Sequence, residues 1–131
     1  MDRSVTVTTA GGKFRQHVKV GGHTIVADEP KEDGGDDMGP TPHELLLSAL
    51  GACTSMTIGV YAERKGWKLR GVSVTVSGDH RADGYVIERD IVIDADLDDA
   101  QRARLLDIAN KCPVHKTLSG TIRIESGIAA R

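Results

Sequence analysis

The stretch that decides the fold runs from Thr41 to Lys65 and reads TPHELLLSALGACTSMTIGVYAERK. It opens with a capping Thr41, Pro42 at the first helical position and Glu44 three residues after the cap, which together form a capping box. Apolar residues then recur at helical spacing on nearly every side of the segment. Such a helix is buried on nearly all sides, and in a chain this small we expect a partner subunit to cover part of it.

Short strands precede this helix. Three alternating segments are separated by Gly-Gly turn signals: residues 5–8, 14–20 and 23–27. Strands separated by such turns favour an antiparallel meander. The acidic, glycine-rich stretch 28–40 then has the composition of an exposed loop.

A hairpin and a second helix follow it. Residues 72–77 and 85–94 alternate in polarity, and Asp83-Gly84 between them is a hairpin turn signal. Asp98 can cap a second helix, with Gln101 three residues on. The buried face of that helix is predicted to end at Cys112.

The last predicted elements are a short turn at 114–118 and a strand at Thr121–Glu125. The order is therefore βββ–α–ββ–α–β over a single domain, residues 1–131. Grouped strands with helices between them indicate an α+β fold with antiparallel sheet, and not a doubly wound α/β fold.

The composition excludes several function classes. The 131 residues carry 17 Lys plus Arg against 19 Asp plus Glu, a net charge of −2 that gives no support for nucleic-acid binding. No uninterrupted apolar run reaches the roughly 18 residues that a membrane span needs. The N-terminal residues lack the apolar stretch of a signal peptide, so we expect a cytoplasmic protein.

The two cysteines, Cys53 and Cys112, each lie on the apolar stripe of a predicted helix. One interpretation is that both pack as small hydrophobic residues, as free cysteines often do. The other is a redox pair. A thiolate that attacks a peroxide becomes a sulfenic acid, and a second thiol condenses with it to form a disulfide.

Local sequence favours the redox interpretation. Cys112 directly precedes Pro113, so its sulfur can cap the short helix that follows, where unpaired backbone N–H groups favour a thiolate. His115 and Lys116 can add positive charge nearby. Small residues flank Cys53, so a small molecule could approach it closely.

A metal site is the competing use of these residues. Cys112 and His115 have half of a zinc-like spacing. Further ligands would have to come from the remaining candidates, which are His17, His23, His43 and Cys53. Neither a second paired motif nor a C-x-x-C motif occurs, so we expect no metal and no other cofactor.

Two segments resemble the OsmC/Ohr superfamily of osmotically inducible protein C and organic hydroperoxide resistance proteins. Residues 39–54, GPTPHELLLSALGACT, are similar to its cysteine helix, and residues 108–118, IANKCPVHKTL, to its second cysteine segment. Shorter matches fit the branch called OsmC-like: Asp28-Glu29-Pro30, Gly34-Gly35 and residues 61–66. The resemblance spans essentially the whole chain.

The resemblance implies an intertwined homodimer of α+β subunits, with two central helices inside, sheets outside and active sites at the subunit interface. It implies that Cys53 is peroxidatic and Cys112 resolving. A dithiol reductant, lipoyl groups in some members, would restore both thiols. The implied substrate is a small organic hydroperoxide.

The resemblance also implies groups that activate the Cys53 thiolate. Ohr-type members use an Arg after a Gly-Gly pair and a Glu ten residues before the first cysteine. Here Lys13 follows the Gly-Gly pair and Arg15 comes two residues later, whereas His43 stands ten residues before Cys53 and Glu44 nine. A one-residue offset turns a helical side chain by about 100°, so Glu44 has either a capping or a catalytic role.

Three functional hypotheses follow. The first is a thiol-dependent peroxidase that acts on organic hydroperoxides, with hydrogen peroxide as a further candidate substrate, in oxidative stress defence. The second is a dimeric binding module with weak or no peroxidase activity, motivated by Lys13 and His43. The third is a metal protein, which would contain stoichiometric zinc or iron.

Overall fold

The computed structural model describes residues 2–129. The chain divides into two compact units, Met1–Leu47 and Ser48–Arg131. The expectation of one domain over residues 1–131 stays a prediction.

The first unit holds a three-stranded antiparallel sheet in the order β1-β2-β3. Its strands are β1 (Thr6–Thr9), β2 (Gln16–Val20) and β3 (His23–Ala27). The turn between β2 and β3 needs Gly21, whose φ of 56° lies in the left-handed region that favours glycine. The predicted meander is confirmed.

The loop after β3 is closed around a buried carboxylate. Asp28 is only 2% exposed and accepts hydrogen bonds from the backbone N–H groups of Glu29, at 2.8 Å, and Met38, at 3.1 Å. Its own N–H donates to the carbonyl of Pro40 at 3.1 Å. Most of the other loop residues are exposed, as expected, but Asp28 ties the two ends of the loop together.

Burial alone would raise the pKa of the Asp28 carboxyl. The hydrogen bonds from the loop N–H groups, with the Arg15 cation nearby, outweigh burial and hold that pKa below its usual range. The charged form is therefore the one that the folded loop favours.

A long helix, α1 (Pro42–Lys65), begins in the first unit and continues into the second. The rest of the second unit follows it: β4 (Gly71–Arg81), β5 (Gly84–Asp94), α2 (Asp99–Ala109) and α3 (Pro113–Ser119). Strands β4 and β5 form an antiparallel hairpin in which Arg81 pairs with Gly84. The turn signal at Asp83-Gly84 thus predicted the hairpin correctly.

The core of the second unit is a cluster formed by Ile58 of α1 with Leu105 and Ala109 of α2, each fully buried. Along α1, four of 24 residues are buried: Leu50, Thr54, Ile58 and Ala62. Their spacing of four residues makes one narrow stripe. The helix is therefore buried on one side within the single chain, and not on nearly all sides.

Helix α1 is also the one helix among residues 2–129 that is long and apolar enough, by length and composition, to cross a membrane. Core helices of soluble proteins pass the same test. In α1 the average hydropathy reaches this level although Ser48, Thr54, Ser55 and Thr57 interrupt the apolar run.

The α+β class, the antiparallel pairing and the order of elements agree with the predictions. Asp98 caps α2 in a capping box with Gln101, as expected. Two details differ: α2 ends at Ala109, before Cys112, and residues 121–125 carry no strand assignment in the single chain. All five of the latter residues are exposed, and a strand persists only where a neighbouring strand pairs with it.

We expect Asp28→Asn to lower the melting temperature at pH 7, because the loop N–H groups lose the charged acceptor. Since the folded-state pKa is lowered, the stabilisation is present above the ordinary Asp range and is lost as pH falls through the lowered value. The difference from wild type should therefore shrink below about pH 4. Thermal unfolding by circular dichroism at several pH values measures it.

Asp33→Asn is the matched control, because Asp33 lies exposed in the same loop. An equal effect of the two substitutions, or a difference that grows on acidification, would contradict the role of Asp28.

Candidate functional site

Cys112 stands at the N-cap of α3 and is completely buried. Pro113 restricts the preceding residue to an extended backbone, and Cys112 accordingly has φ −63° and ψ 145°. In this conformation its Sγ accepts the backbone N–H of His115 at 3.3 Å. The predicted capping role of the Cys112 sulfur is therefore correct.

Thr54 is the polar member of the buried stripe of α1, and it lies against Cys112. Its side chain is completely buried, and its Oγ1 lies 3.9 Å from the Cys112 Sγ. The same hydroxyl donates to the carbonyl of Leu50 at 2.7 Å. The sulfur of Cys112 is thus in contact with two polar groups, one from α3 and one from α1.

Arg89 of β5 completes the arrangement. Its Nη1 donates to Thr54 Oγ1 at 3.1 Å and to the carbonyl of Ala109 at 3.5 Å, while its Nη2 donates to Asn110 Oδ1 at 2.6 Å. A half-buried guanidinium therefore lies one hydroxyl away from the Cys112 sulfur.

The sequence interpretation missed Thr54 and Arg89 as site residues. A signal for Arg89 was present: it occupies an inward position of the alternating strand, between Ile87 and Ile91. A charge on the apolar face of a strand needs a polar partner, and Thr54 and Asn110 supply it. Thr54 gave no such signal, because small polar residues are common in helices.

A cavity of about 430 Å³ lies beside this network. Arg89, Asn110 and His115 supply polar groups to its wall. Apolar side chains supply much of the rest, among them Leu50, Leu106 and Leu118. A cavity of this kind suits a small molecule with one polar end.

Cys53 is a free thiol, partly exposed on α1. Its Sγ lies 4.0 Å from Thr57 Oγ1, one helical turn on. Cys112 is free as well, and no disulfide joins the two. Because Cys53 precedes Thr54 by one residue, its side chain is turned about 100° around the helix from the stripe that contacts Cys112.

The predicted activating residues lie in the first unit. Arg15 Nη2 forms an ion pair with Asp36 at 3.6 Å, and its Nε is buried without a hydrogen-bond partner among residues 2–129. Lys13 lies over the ring of Phe14, 5.4 Å from its centroid. A role for either residue at Cys53 stays a prediction.

His43 and Glu44 are exposed in the first turn of α1. Glu44 Oε1 accepts the backbone N–H of Thr41 at 2.8 Å, and Thr41 Oγ1 accepts the N–H of Glu44 at 3.2 Å. The predicted capping box is therefore formed. A catalytic role for Glu44 or His43 stays a prediction.

The candidate zinc ligands give no coordination geometry to describe. Within residues 2–129, no group of three or more His, Cys, Asp or Glu side chains is arranged to hold a metal ion.

Comparisons with known proteins agree with this fold. An OsmC like protein from Mycoplasma pneumoniae is 23% identical, with 92% of this chain and 89% of that one covered and a TM-score of 0.78. The organic hydroperoxide resistance protein OsmC from Legionella pneumophila is 23% identical, with 89% and 90% covered and a TM-score of 0.64. OhrB of Bacillus subtilis, an organic hydroperoxide resistance protein, is 22% identical, with 89% and 91% covered and a TM-score of 0.61.

At these identities the solved structures show the fold alone. No curated protein sequence matches significantly. The family model described as OsmC-like protein matches residues 34–127, well over half of the chain and including both cysteines. With the α+β order and the two cysteine segments found as expected, the chain belongs to the OsmC-like protein family.

Proposed function

We propose that this protein is a cytoplasmic thiol-dependent peroxidase that reduces organic hydroperoxides through Cys53 and Cys112, in defence against oxidative stress. The observation that carries the proposal is the setting of Cys112. The completely buried thiol of Cys112 accepts an N–H from His115 and contacts Thr54, the residue next to the partly exposed thiol of Cys53. Membership of a family whose structural relatives include organic hydroperoxide resistance proteins supports it.

The first step falls to Cys53, because its sulfur is the more accessible of the two. Its thiolate attacks one oxygen of the hydroperoxide, so that a sulfur–oxygen bond forms and the oxygen–oxygen bond breaks. The leaving alkoxide takes a proton and departs as an alcohol. Cys53 is left as a sulfenic acid.

The second step falls to Cys112. Its thiolate attacks the Cys53 sulfur, the sulfur–sulfur bond forms, and the sulfur–oxygen bond breaks to release hydroxide, which a proton converts to water. Because no disulfide joins the two thiols and Cys112 is completely buried, this step requires the two sulfurs to move toward each other. A dithiol or lipoyl reductant then returns both thiols by exchange.

We expect Cys53→Ser to abolish stoichiometric loss of cumene hydroperoxide in the presence of dithiothreitol or dihydrolipoamide. Cys112→Ser should retain the first step and accumulate the Cys53 sulfenic acid, because no resolving thiol remains. Peroxide assay and intact mass after dimedone trapping measure both. Equal peroxide consumption by wild type and Cys53→Ser would contradict the proposal.

Glu44 allows a separation of capping from catalysis. Glu44→Gln keeps an acceptor for the Thr41 N–H but loses the charge, whereas Glu44→Ala loses both. If Glu44 activates Cys53, peroxidase activity falls in both variants. The free energy of unfolding should fall in Glu44→Ala alone, by about 0.3–1.5 kcal/mol. Full activity of Glu44→Gln would show that Glu44 serves only as a cap.

The alternative is a binding module with little or no peroxidase activity. The cavity beside Arg89 and the complete burial of Cys112 favour it, because a buried thiol can also serve only to pack. Under this alternative, mild peroxide treatment leaves no intramolecular disulfide. Loss of two protons per chain in the intact mass would argue against it.

We also propose that the protein works as a homodimer. Met56 and Val60 of α1 are 70% and 50% exposed, on a helix whose buried stripe leaves most of its apolar surface open. Ile122 and Ile124, in the segment predicted as a last strand, are exposed too. A second copy is the cover that the sequence resemblance implies, and it would shield both surfaces from water.

Light scattering should therefore give a mass twice the 14.0 kDa of one chain. Val60→Glu, which puts a charge in the open face of α1, should shift the protein toward monomer. Lys68→Glu is a control for added negative charge, because Lys68 is exposed and polar and follows α1, outside the groove that Met56 and Val60 line. A monomeric wild type, or a wild type that stays in solution only with detergent, would contradict the homodimer.

A further inference from the structure

Arg89 is a half-buried cation without an anionic partner. The ion pairs that the structure shows within residues 2–129 do not include it. Its three acceptors are the neutral oxygens of Thr54, Ala109 and Asn110. Partly buried charges are normally paired, because burial without compensation is unfavourable. Among residues 2–129, therefore, only neutral oxygens compensate the charge of Arg89.

The Cys112 sulfur can supply a nearby anion for Arg89. Thr54 Oγ1 lies 3.1 Å from Arg89 Nη1 and 3.9 Å from Cys112 Sγ, so the hydroxyl bridges the cation and the sulfur. A hydroxyl has a single proton to donate and two lone pairs to accept with. With Cys112 as a thiol, Thr54 donates to the Leu50 carbonyl and accepts from Arg89 and from the S–H group.

Loss of the Cys112 thiol proton to solvent changes these hydrogen bonds. The Thr54 hydroxyl turns from the Leu50 carbonyl to the sulfur, which now accepts from Thr54 and from the His115 N–H. The Leu50 carbonyl keeps an acceptor role in α1, because it lies four residues before the Thr54 N–H. Arg89 remains bonded to Thr54 and gains a nearby opposite charge.

We propose that Thr54 and Arg89 are positioning residues that support the thiolate of Cys112. Thr54 donates to the sulfur once Cys112 is ionised, and Arg89, which is bonded to Thr54, places a positive charge near that thiolate. The proposal deepens the peroxidase function, in which Cys112 attacks the oxidised Cys53. It concerns the ionisation of Cys112 itself, however, and is tested without peroxide.

Other charged or titratable groups on the elements around Cys112 must be considered in any pH profile. Those within five residues of Cys112 along the chain are Asp107, Lys111, His115 and Lys116, and Cys53 is the neighbour of Thr54 on α1. His115 lines the same cavity as Arg89.

The experiment measures the reaction of Cys112 with 4,4′-dithiodipyridine in the Cys53→Ser background, so that one thiol reports. Thr54→Val and Arg89→Gln are the test variants. Thr54→Ser keeps the hydroxyl, and Arg102→Gln removes a guanidinium that donates only to backbone carbonyls of the same unit. These two are the matched controls.

At pH 7 we expect Thr54→Val and Arg89→Gln to react about threefold more slowly than the parent. A tenfold loss of thiolate, partly offset by the greater nucleophilicity of a more basic thiolate, gives this factor. The deficit should shrink as the pH rises, because the thiolate fraction then increases in every variant. Thr54→Ser and Arg102→Gln should follow the parent at every pH.

The direction of the change in the Cys112 reaction rate separates this role from a structural one. Cys112 is completely buried, so a variant that merely loosens the fold exposes the thiol and reacts faster, not more slowly. Faster reaction of both test variants at pH 7, or identical behaviour of Thr54→Val and Thr54→Ser, would overturn the proposal.

The experiments distinguish a failure of the proposed peroxidase function from a failure of the proposed roles of Thr54 and Arg89. If Cys53 never forms a sulfenic acid but the exchange profiles shift as expected, the support of Cys112 stands and the peroxidase function falls. If peroxide turnover is normal and the profiles do not shift, the roles of Thr54 and Arg89 are rejected alone.

Discussion

The contact on which the second unit depends is that between the narrow buried stripe of α1 and helix α2. Ile58 meets Leu105 and Ala109 there, and all three are excluded from water. Shortening one of these side chains would remove apolar burial and leave a cavity, an effect worth about 2–5 kcal/mol for Leu to Ala. The same contact fixes the rotation of α1 about its axis. Thr54, one turn before Ile58, therefore faces Cys112, and Cys53 does not.

This rotation explains the unequal surroundings of the two thiols. Cys112 is held by an N–H group, a hydroxyl and, behind the hydroxyl, a guanidinium. Cys53 has the more distant contact with Thr57 and partial exposure. In the proposed chemistry the exposed thiol meets the substrate and the buried one waits. That division protects Cys112 from direct oxidation, because oxidation follows access as well as ionisation.

Much of the fold could be predicted from local sequence rules. Thr41 and Glu44 form the expected cap, Asp98 and Gln101 a second one, and the Asp83-Gly84 turn the expected hairpin, because each depends on residues a few positions apart. The network around Cys112 could not be predicted in this way. Residues 54, 89 and 112 meet only through the tertiary packing of α1, β5 and α3, which no local spacing records.

The single chain has no strand at residues 121–125, the predicted last strand, for a related reason. Ile122 and Ile124 alternate with polar residues, as a strand should, but alternation does not say which strand will pair with them. The sequence shows that α1 is apolar on nearly every side, yet within one chain only a single stripe of the helix is buried. In both cases the pattern indicates surface to be buried and leaves the identity of the covering element open.

The tight turn between β4 and β5 has a consequence far from itself. Arg81 pairs with Gly84, which sets Val76 opposite Arg89 and directs the Arg89 side chain to the inner face of the hairpin. Inserting or deleting one residue in that turn would slip the register, and a slip of one position moves every side chain of a strand to the opposite face. The turn lies five residues from Arg89, about 17 Å along the strand. The length of a surface loop thus decides whether a positive charge reaches Thr54, the residue in contact with a buried thiol, although the loop contains no site residue.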